Sequence, residues 1–421
     1  MTDGPPRIGL FGLLGSGNIG NDASMEAMLG YLRDSCPEAT VDAMCSGPER
    51  LRRLYHIEAI PLAWTSRRQA ASGRRSLVYK LLGKVFDTVR IAAWVRRHDA
   101  VIVPGMGVLE STLPLRAFGG PYALFLVSAS GKLLGTKVAL VSVGANVVNQ
   151  PLTRWLYKSA ARLAYYRSYR DAASRDAMAP RRCGISDPVY PDLAFSIPVP
   201  PDAGGDPRIV GIGVMDFHGS ADERKCSDQI YRRYLAGMTA FIRWLIDDGR
   251  DVRLFVGDTK GCDDTVIQEI IADLKLHRPE LDPTRVIAAS TESFGDLMRE
   301  MAPAGIVVAT RYHNVIAALR LTKLTMCVGY AAKHDDLMAD MGLSAFCQPA
   351  QTLDVGLLIQ QVADLEERGD QVRGMIRQHN ADLAVQLAEQ FTLLSGILLD
   401  TAGAPAAVPM RAETVEVPLR P

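Results

Sequence analysis

The sequence predicts an α/β protein built from two doubly wound domains that face each other across a cleft. Three observations carry that expectation. The chain has 421 residues, too many for one ordinary domain. Short, continuous apolar runs alternate with amphipathic stretches along most of it, the pattern of parallel strands covered by helices on both faces. One stretch, 196–207, holds four prolines and two glycines in twelve residues, which no helix or central strand survives.

Taken in order, the strand-type runs are residues 7–14, 40–44, 100–104 and 138–142 in the first half. In the second half they are 209–214, 252–256, 285–288, 306–309 and 324–328. Helical patterns lie between them, as at 23–33, 231–247, 265–275 and 294–301. The break at 196–207 then reads as a linker between an N-terminal Rossmann-like domain, 1–195, and a C-terminal one, 208–345. A helical pattern resumes over 346–400, and the tail at 401–421, with four prolines, is expected to be disordered. In such a pair, ligands bind in the cleft outside the carboxyl ends of the strands.

Composition narrows the function classes. Lys plus Arg and Asp plus Glu both number 47, so the basic excess of a nucleic-acid coat is missing. No run approaches the roughly 18 apolar residues that cross a bilayer. The start, MTDGPPRIGLFGLLGSGN, lacks the positive charge and long apolar core of a secretory signal. Seven scattered cysteines without a CxxC pair fit reduced thiols, so neither a disulfide framework nor a metal site is expected. The expectation is a soluble, cytoplasmic protein. Charge is segregated in one place: between Arg50 and Arg97 stand 12 basic residues and two acids, Glu58 and Asp87. There, 76–97 reads as an amphipathic helix. It either packs on the first sheet as a surface helix or lies on an anionic membrane face or carrier lipid.

Gly15-Ser16-Gly17-Asn18-Ile19-Gly20 follows a strand and opens a helix in the GxGxxG pattern. Asp42 ends the next strand, where a ribose-binding acid belongs. A nicotinamide-dependent dehydrogenase is one reading. The other is a tight turn whose backbone amides, with the Asn18 amide, serve an anion or sugar hydroxyls. Four further elements bear on the choice. Gly105 and Gly107 form a second glycine turn after a strand, and Tyr169-Arg170-Asp171, with Ser174, ends a strand and starts a helix. Asp187-Pro188 to Asp192 precedes the linker. Thr310-Arg311-Tyr312-His313-Asn314 sits between a strand and a helix at 315–320, with Lys333 beyond it.

In this order the elements resemble the polysaccharide pyruvyl transferase family. They stand as Gly17-Asn18-Ile19-Gly20-Asn21, Gly105-Met106-Gly107, Tyr169 to Ser174, Asp187 to Asp192, Arg311 to His313 and Tyr330 to Lys333, over roughly residues 8–345. Asn21 stands where the family commonly has an acid, and Met106 interrupts its usual glycine triplet. The resemblance implies a fold like that of the two-domain (GT-B-type) glycosyltransferases. It also implies transfer of the enolpyruvyl group of phosphoenolpyruvate to a saccharide, lipid-linked or an exopolysaccharide precursor. The products would be a pyruvate ketal and phosphate, with no cofactor.

The residues can be set against that chemistry. Arg170 and Arg311 offer planar forks for carboxylate and phosphate, Lys333 a point charge, and the start of the 315–320 helix its backbone amides. His313 is the side chain of its motif that gives a proton near neutral pH, which makes it the candidate general acid. The acceptor is assigned to the first-domain turns, through Gly15, Gly17, Asn18, Gly20, Gly105 and Gly107, as neutral amide-rich loops opposite the cations. Asp171 and Asp192 read as cap and loop acceptors, and Trp155, Tyr165 and Trp244 as core residues at helical spacing. Two rivals remain beside the dehydrogenase. A nucleotide-sugar glycosyltransferase of the same fold would use Asp258 or Glu292 on the ribose. A non-catalytic saccharide-binding relative should have lost Arg170, His313 or Lys333.

Overall fold

The computed structural model describes residues 4–63, 74–110, 117–178, 187–201, 204–219, 226–259 and 261–399, with the backbone alone over 74–82. The tail at 401–421 and Cys183 lie outside them, as does part of the basic segment.

The apolar runs form two parallel six-stranded sheets. The first contains β1 (Arg7–Gly12), β2 (Thr40–Cys45), β3 (Glu58–Pro61), β4 (Ala100–Pro104), β5 (Lys137–Val143) and β6 (Tyr166–Tyr169), in the order β3-β2-β1-β4-β5-β6. The second contains β7 (Asp206–Gly213), β8 (Asp251–Phe255), β9 (Val286–Ala288), β10 (Ala304–Ala309), β11 (Leu324–Gly329) and β12 (Cys347–Pro349), in the order β12-β11-β10-β7-β8-β9. The strands AVIVP and AGIVVA are buried at every position, as strands covered on both faces must be. The edge strands β3 and β12 are only four and three residues long and carry no apolar run to announce them.

Helices cover both sheets: α1 (Ile19–Ser35), α2 (Pro48–Tyr55), α3 (Arg74–Val95), α4 (Gly120–Leu134), α5 (Pro151–Leu163) and α6 (Ala172–Met178) in the first half. In the second they are α7 (Ser227–Asp247), α8 (Asp263–His277), α9 (Phe294–Met301), α10 (Tyr312–Arg320) and α11 (Ala332–Asp340), then α12 (Val355–Glu367) and α13 (Gly369–Leu398). Strand order reverses between β1 and β4 and again between β7 and β10, so each sheet has its switch point where ligands of this architecture bind.

The 30-residue α13 ties the two halves together. In its first half Asn380 donates to the Leu319 carbonyl of the second domain at 2.8 Å. Further along, Phe391 stacks on Tyr31 at 4.7 Å, and the buried Gln390 bonds Ser142 and Ser168 of the first sheet at 3.1 and 2.8 Å. Loop contacts close the cleft from the other side. Ile19 N donates to Gly257 O at 3.0 Å and Thr259 N to Gly17 O at 2.9 Å.

Two sequence expectations need correction here. Trp155 and Tyr165 are 56% and 61% exposed and not core: the buried stripe of α5 runs through Leu156, Tyr157 and Ala160 and leaves Trp155 outside, and Tyr165 lies beyond the end of that helix. Trp244 is partly buried and stacks on Phe241. The described part of α3 packs on the first sheet through Ile91, Trp94 and Val95. Several charges of the basic segment have internal partners: Arg50 meets Asp22, Arg53 meets Glu292, and Arg90 donates to the Pro61 and Leu62 carbonyls. Among the described residues no helix is long and apolar enough to cross a membrane.

Candidate active site

Loops from both domains bring Arg170, Lys333 and His313 together at the cleft. Arg170, just past β6, is 7% exposed and ringed by carboxylates. Its Nη2 donates to Glu110, its Nε to Asp171 at 3.3 Å, and its Nη1 stands 3.8 Å from Asp192. The guanidinium lies 5.2 Å from the centre of the Tyr312 ring, and the Lys333 ammonium lies 5.2 Å from the same ring. Lys333 also faces Glu110 at 3.8 Å, so one first-domain carboxylate bridges a cation from each domain.

His313 Nε2 faces Asp192 Oδ2 at 3.6 Å. Burial raises the Asp192 carboxyl, but the adjacent His313 and Arg170 charges prevail and bring it down to about 2. Glu110 shows the same contest: burial raises it, Arg170, Lys333 and His313 lower it, and the balance lies below the ordinary carboxylate range. Asp171 and Asp192 do cap their turns, accepting from Ser174 N at 2.6 Å and Ala194 N at 3.0 Å. Each also turns its other oxygen toward the cluster.

Arg311 is placed differently. As the extended residue before α10, which starts at Tyr312 and not at residue 315, it directs Nε and Nη2 to the fully buried Asp263 at 2.9 and 2.7 Å. Asp263 also accepts from the backbone amides of Asp216, Gly257 and Asp258. Only Nη1 of Arg311 makes no hydrogen bond among the described residues. Removing one partner of such a pair leaves a buried charge behind, so Arg311→Ala is expected to destabilise the fold by about 3 kcal/mol. Thermal unfolding checks this, with Arg311→Lys intermediate; an unchanged midpoint would show that the amides alone satisfy Asp263.

The glycine turns have internal tasks. A Cβ on Gly20 would lie 1.9 Å from His313 Nδ1, so the first turn of α1 is bare where the imidazole of the other domain rests on it. Asn18 Oδ1 caps α1 by accepting from Gly20 N at 3.0 Å, and the Gly15–Gly17 turn presses on Gly47 and on the loop at 257–259. Gly105 and Met106 both adopt left-handed backbone, φ 48° and 45°, which is strained for methionine and explains why glycine suits that turn. A Cβ on Gly107 would meet the Glu110 carboxylate at 2.5 Å. The first-domain loops facing the cations are therefore not neutral, because they deliver Glu110.

Each acid named for a rival reading has a partner within the fold. Asp42 accepts from Trp94 Nε1 at 2.7 Å and pairs with His98 at 3.1 Å. Glu292 is held by both Nη atoms of Arg53, and Asp258 Oδ1 accepts from Gly261 N. Sequence reasoning missed Glu110, Asp263 and the Tyr312 platform. Glu110 follows a recognised glycine turn by three residues, and that proximity was the one available signal.

Solved structures of low sequence identity share the fold. The MnaA–UDP co-structure from S. aureus aligns with a TM-score of 0.57 at 9% identity, over 96% of this chain and 100% of that one. The UDP-GlcNAc 2-epimerase from Neisseria meningitidis bound to UDP-GlcNAc gives 0.58 at 10% identity, over 94% and 100%. Spinosyn rhamnosyltransferase SpnG gives 0.50 at 13%, over 94% and 100%. No curated protein matches the chain. The polysaccharide pyruvyl transferase family model matches residues 18–331, a span that starts at the α1 cap and takes in Glu110, Arg170, Asp192, Arg311 and His313, with Lys333 two residues beyond. A match over that much of the chain, holding nearly all of the cleft cluster, means that the chain belongs to the polysaccharide pyruvyl transferase family.

Proposed function

We propose that the protein transfers the enolpyruvyl group of phosphoenolpyruvate to a saccharide, lipid-linked or part of an exopolysaccharide precursor, forming a pyruvate ketal and releasing phosphate. The observation that carries the reading is the meeting of Arg170, Lys333 and His313 at one point of the cleft. Phosphoenolpyruvate holds a carboxylate and a phosphate close together. Arg170 and Lys333 suit those anions, Arg311 adds its Nη1 edge, and the amides of Tyr312 and His313, first in α10, have no carbonyl within the helix to bond.

The chemistry follows from where the proton goes. His313, as imidazolium, protonates the methylene carbon, which makes the adjacent carbon electrophilic. A saccharide hydroxyl adds there, the carbon–oxygen bond to phosphate breaks, and a second hydroxyl closes the ring. The two hydroxyl protons restore the imidazolium and leave with phosphate, so one diol and one donor give one ketal and one phosphate. Arg170 and Lys333 stabilise the departing charge. The acceptor enters from the first-domain side, along the turns at 13–18 and 105–110. Phosphate release with a panel of saccharides, followed by mass analysis for the ketal, tests the reading; no release and no donor binding would sink it.

Glu110 makes a sharper test. In the absence of donor its carboxylate neutralises the two cations that the donor would engage, so donor and Glu110 compete. Like charges brought together at such a site cost several kcal/mol. Glu110→Gln is therefore expected to tighten phosphoenolpyruvate binding on the order of tenfold by calorimetry. Weaker binding would mean that Glu110 orders Arg170 for the donor and does not stand in its place.

A further inference from the structure

A pocket of about 240 Å³ opens on the cleft away from the cation cluster, at the carboxyl ends of β8 and β9. Arg50 of the first domain closes it, and Thr259, Asp264, Ser290, Thr291 and Glu292 of the second line it. We infer that this pocket is a subsite for the non-reacting part of the acceptor, a neutral sugar ring bearing vicinal hydroxyls. The inference deepens the reading above and rests on it for the fate of the sugar.

The lining chemistry selects the ligand class. Thr291 is 4% exposed, yet its hydroxyl has no hydrogen-bond partner among the described residues. An unpaired buried hydroxyl is unfavourable unless something supplies a partner. Asp264, exposed at the start of α8, makes no hydrogen bond or ion pair among the described residues and can accept from two adjacent hydroxyls. The remaining charges are matched: Arg50 faces Asp22 at 3.5 Å and donates to the Glu292 carbonyl, and the Glu292 carboxylate is held by Arg53. What is left is one carboxylate and free hydroxyls beside the small apolar surface of Val256 and Ala289. A phosphate would be repelled there, whereas a polyol finds acceptors, donors and a patch for its ring face.

The position fits as well. The loop at 256–259 forms one wall of the pocket, and on the same loop Gly257 presses against Arg311 and Asn314. A sugar held there is one loop away from the cation cluster. Binding energy from the remote part of a substrate can then position the reacting part.

Saturation-transfer NMR with methyl β-galactoside, methyl α-mannoside and lactose tests this on the full chain. The wild type is expected to show transfer from at least one sugar. Asp264→Asn, at an exposed position, should weaken it, and the double variant with Thr291→Val should weaken it about tenfold. Phosphoenolpyruvate affinity, measured by calorimetry, should stay unchanged in both variants. No transfer to the wild type, or transfer that persists in the double variant, overturns the subsite. A wild type that binds sugar through Asp264 and Thr291 but neither binds nor turns over phosphoenolpyruvate supports the subsite and sinks the donor reading instead.

Discussion

Replacing His313 by glutamine is expected to lower kcat by roughly 10²–10⁴-fold while leaving phosphoenolpyruvate affinity within a few-fold of the wild type. Affinity should survive because the proposed anion contacts, Arg170 and Lys333, reach the cluster from other loops and keep their partners without the imidazole. Turnover should not, because the amide has no proton to give to carbon. Asp192, held as a carboxylate at about 2, faces Nε2, while Nδ1 rests against the first turn of α1 at Gly20. Asp192→Asn should therefore reduce kcat less than His313→Gln, since the ring remains but loses the charge that orients it. Single-turnover phosphate release beside donor calorimetry separates the two effects. Near-normal kcat in His313→Gln would assign the proton to another group.

What could be read from the sequence divides along physical lines. Continuous apolar runs such as AVIVP and AGIVVA mark strands because a parallel strand is buried on both faces, and local composition alone records that. The convergence of Arg170, His313 and Lys333 was legible for a related reason: each follows the carboxyl end of a strand, and the architecture places those ends at the cleft. Their partners were not. Glu110 is 60 residues from Arg170 and Asp263 is 48 from Arg311, and no local period links such pairs. Asp192 shows the limit within one residue. Its capping oxygen follows from the turn it starts, but the oxygen facing His313 depends on how the second domain docks. Trp155 and Tyr165 failed in the opposite direction. Helical spacing says which residues share a face and not which face the sheet covers.

Gly20→Ala is expected to lower kcat by about 10²-fold without lowering the thermal midpoint. In its own helix the change is favourable, because alanine is the better helix former by up to about 1 kcal/mol. Across the cleft it is not tolerated: the added methyl would sit 1.9 Å from His313 Nδ1 and 2.4 Å from Cε1. The backbone of α1 cannot yield, since its first turn is fixed by the Asn18 cap and by the bond from Ile19 N to Gly257 O. Either the imidazole swings off Asp192 or the domains open, and both displace the proton donor by an ångström or more. Gly30→Ala in the same helix is the control, because a Cβ there meets nothing within 4 Å. It should share any gain in stability and keep wild-type turnover. Loss of activity in Gly20→Ala with a wild-type midpoint, beside an active Gly30→Ala, would place the contact between α1 and His313 in the working state of the enzyme. Equal activity in both variants would show that catalysis occurs with the cleft open and that the glycine serves only the closed form.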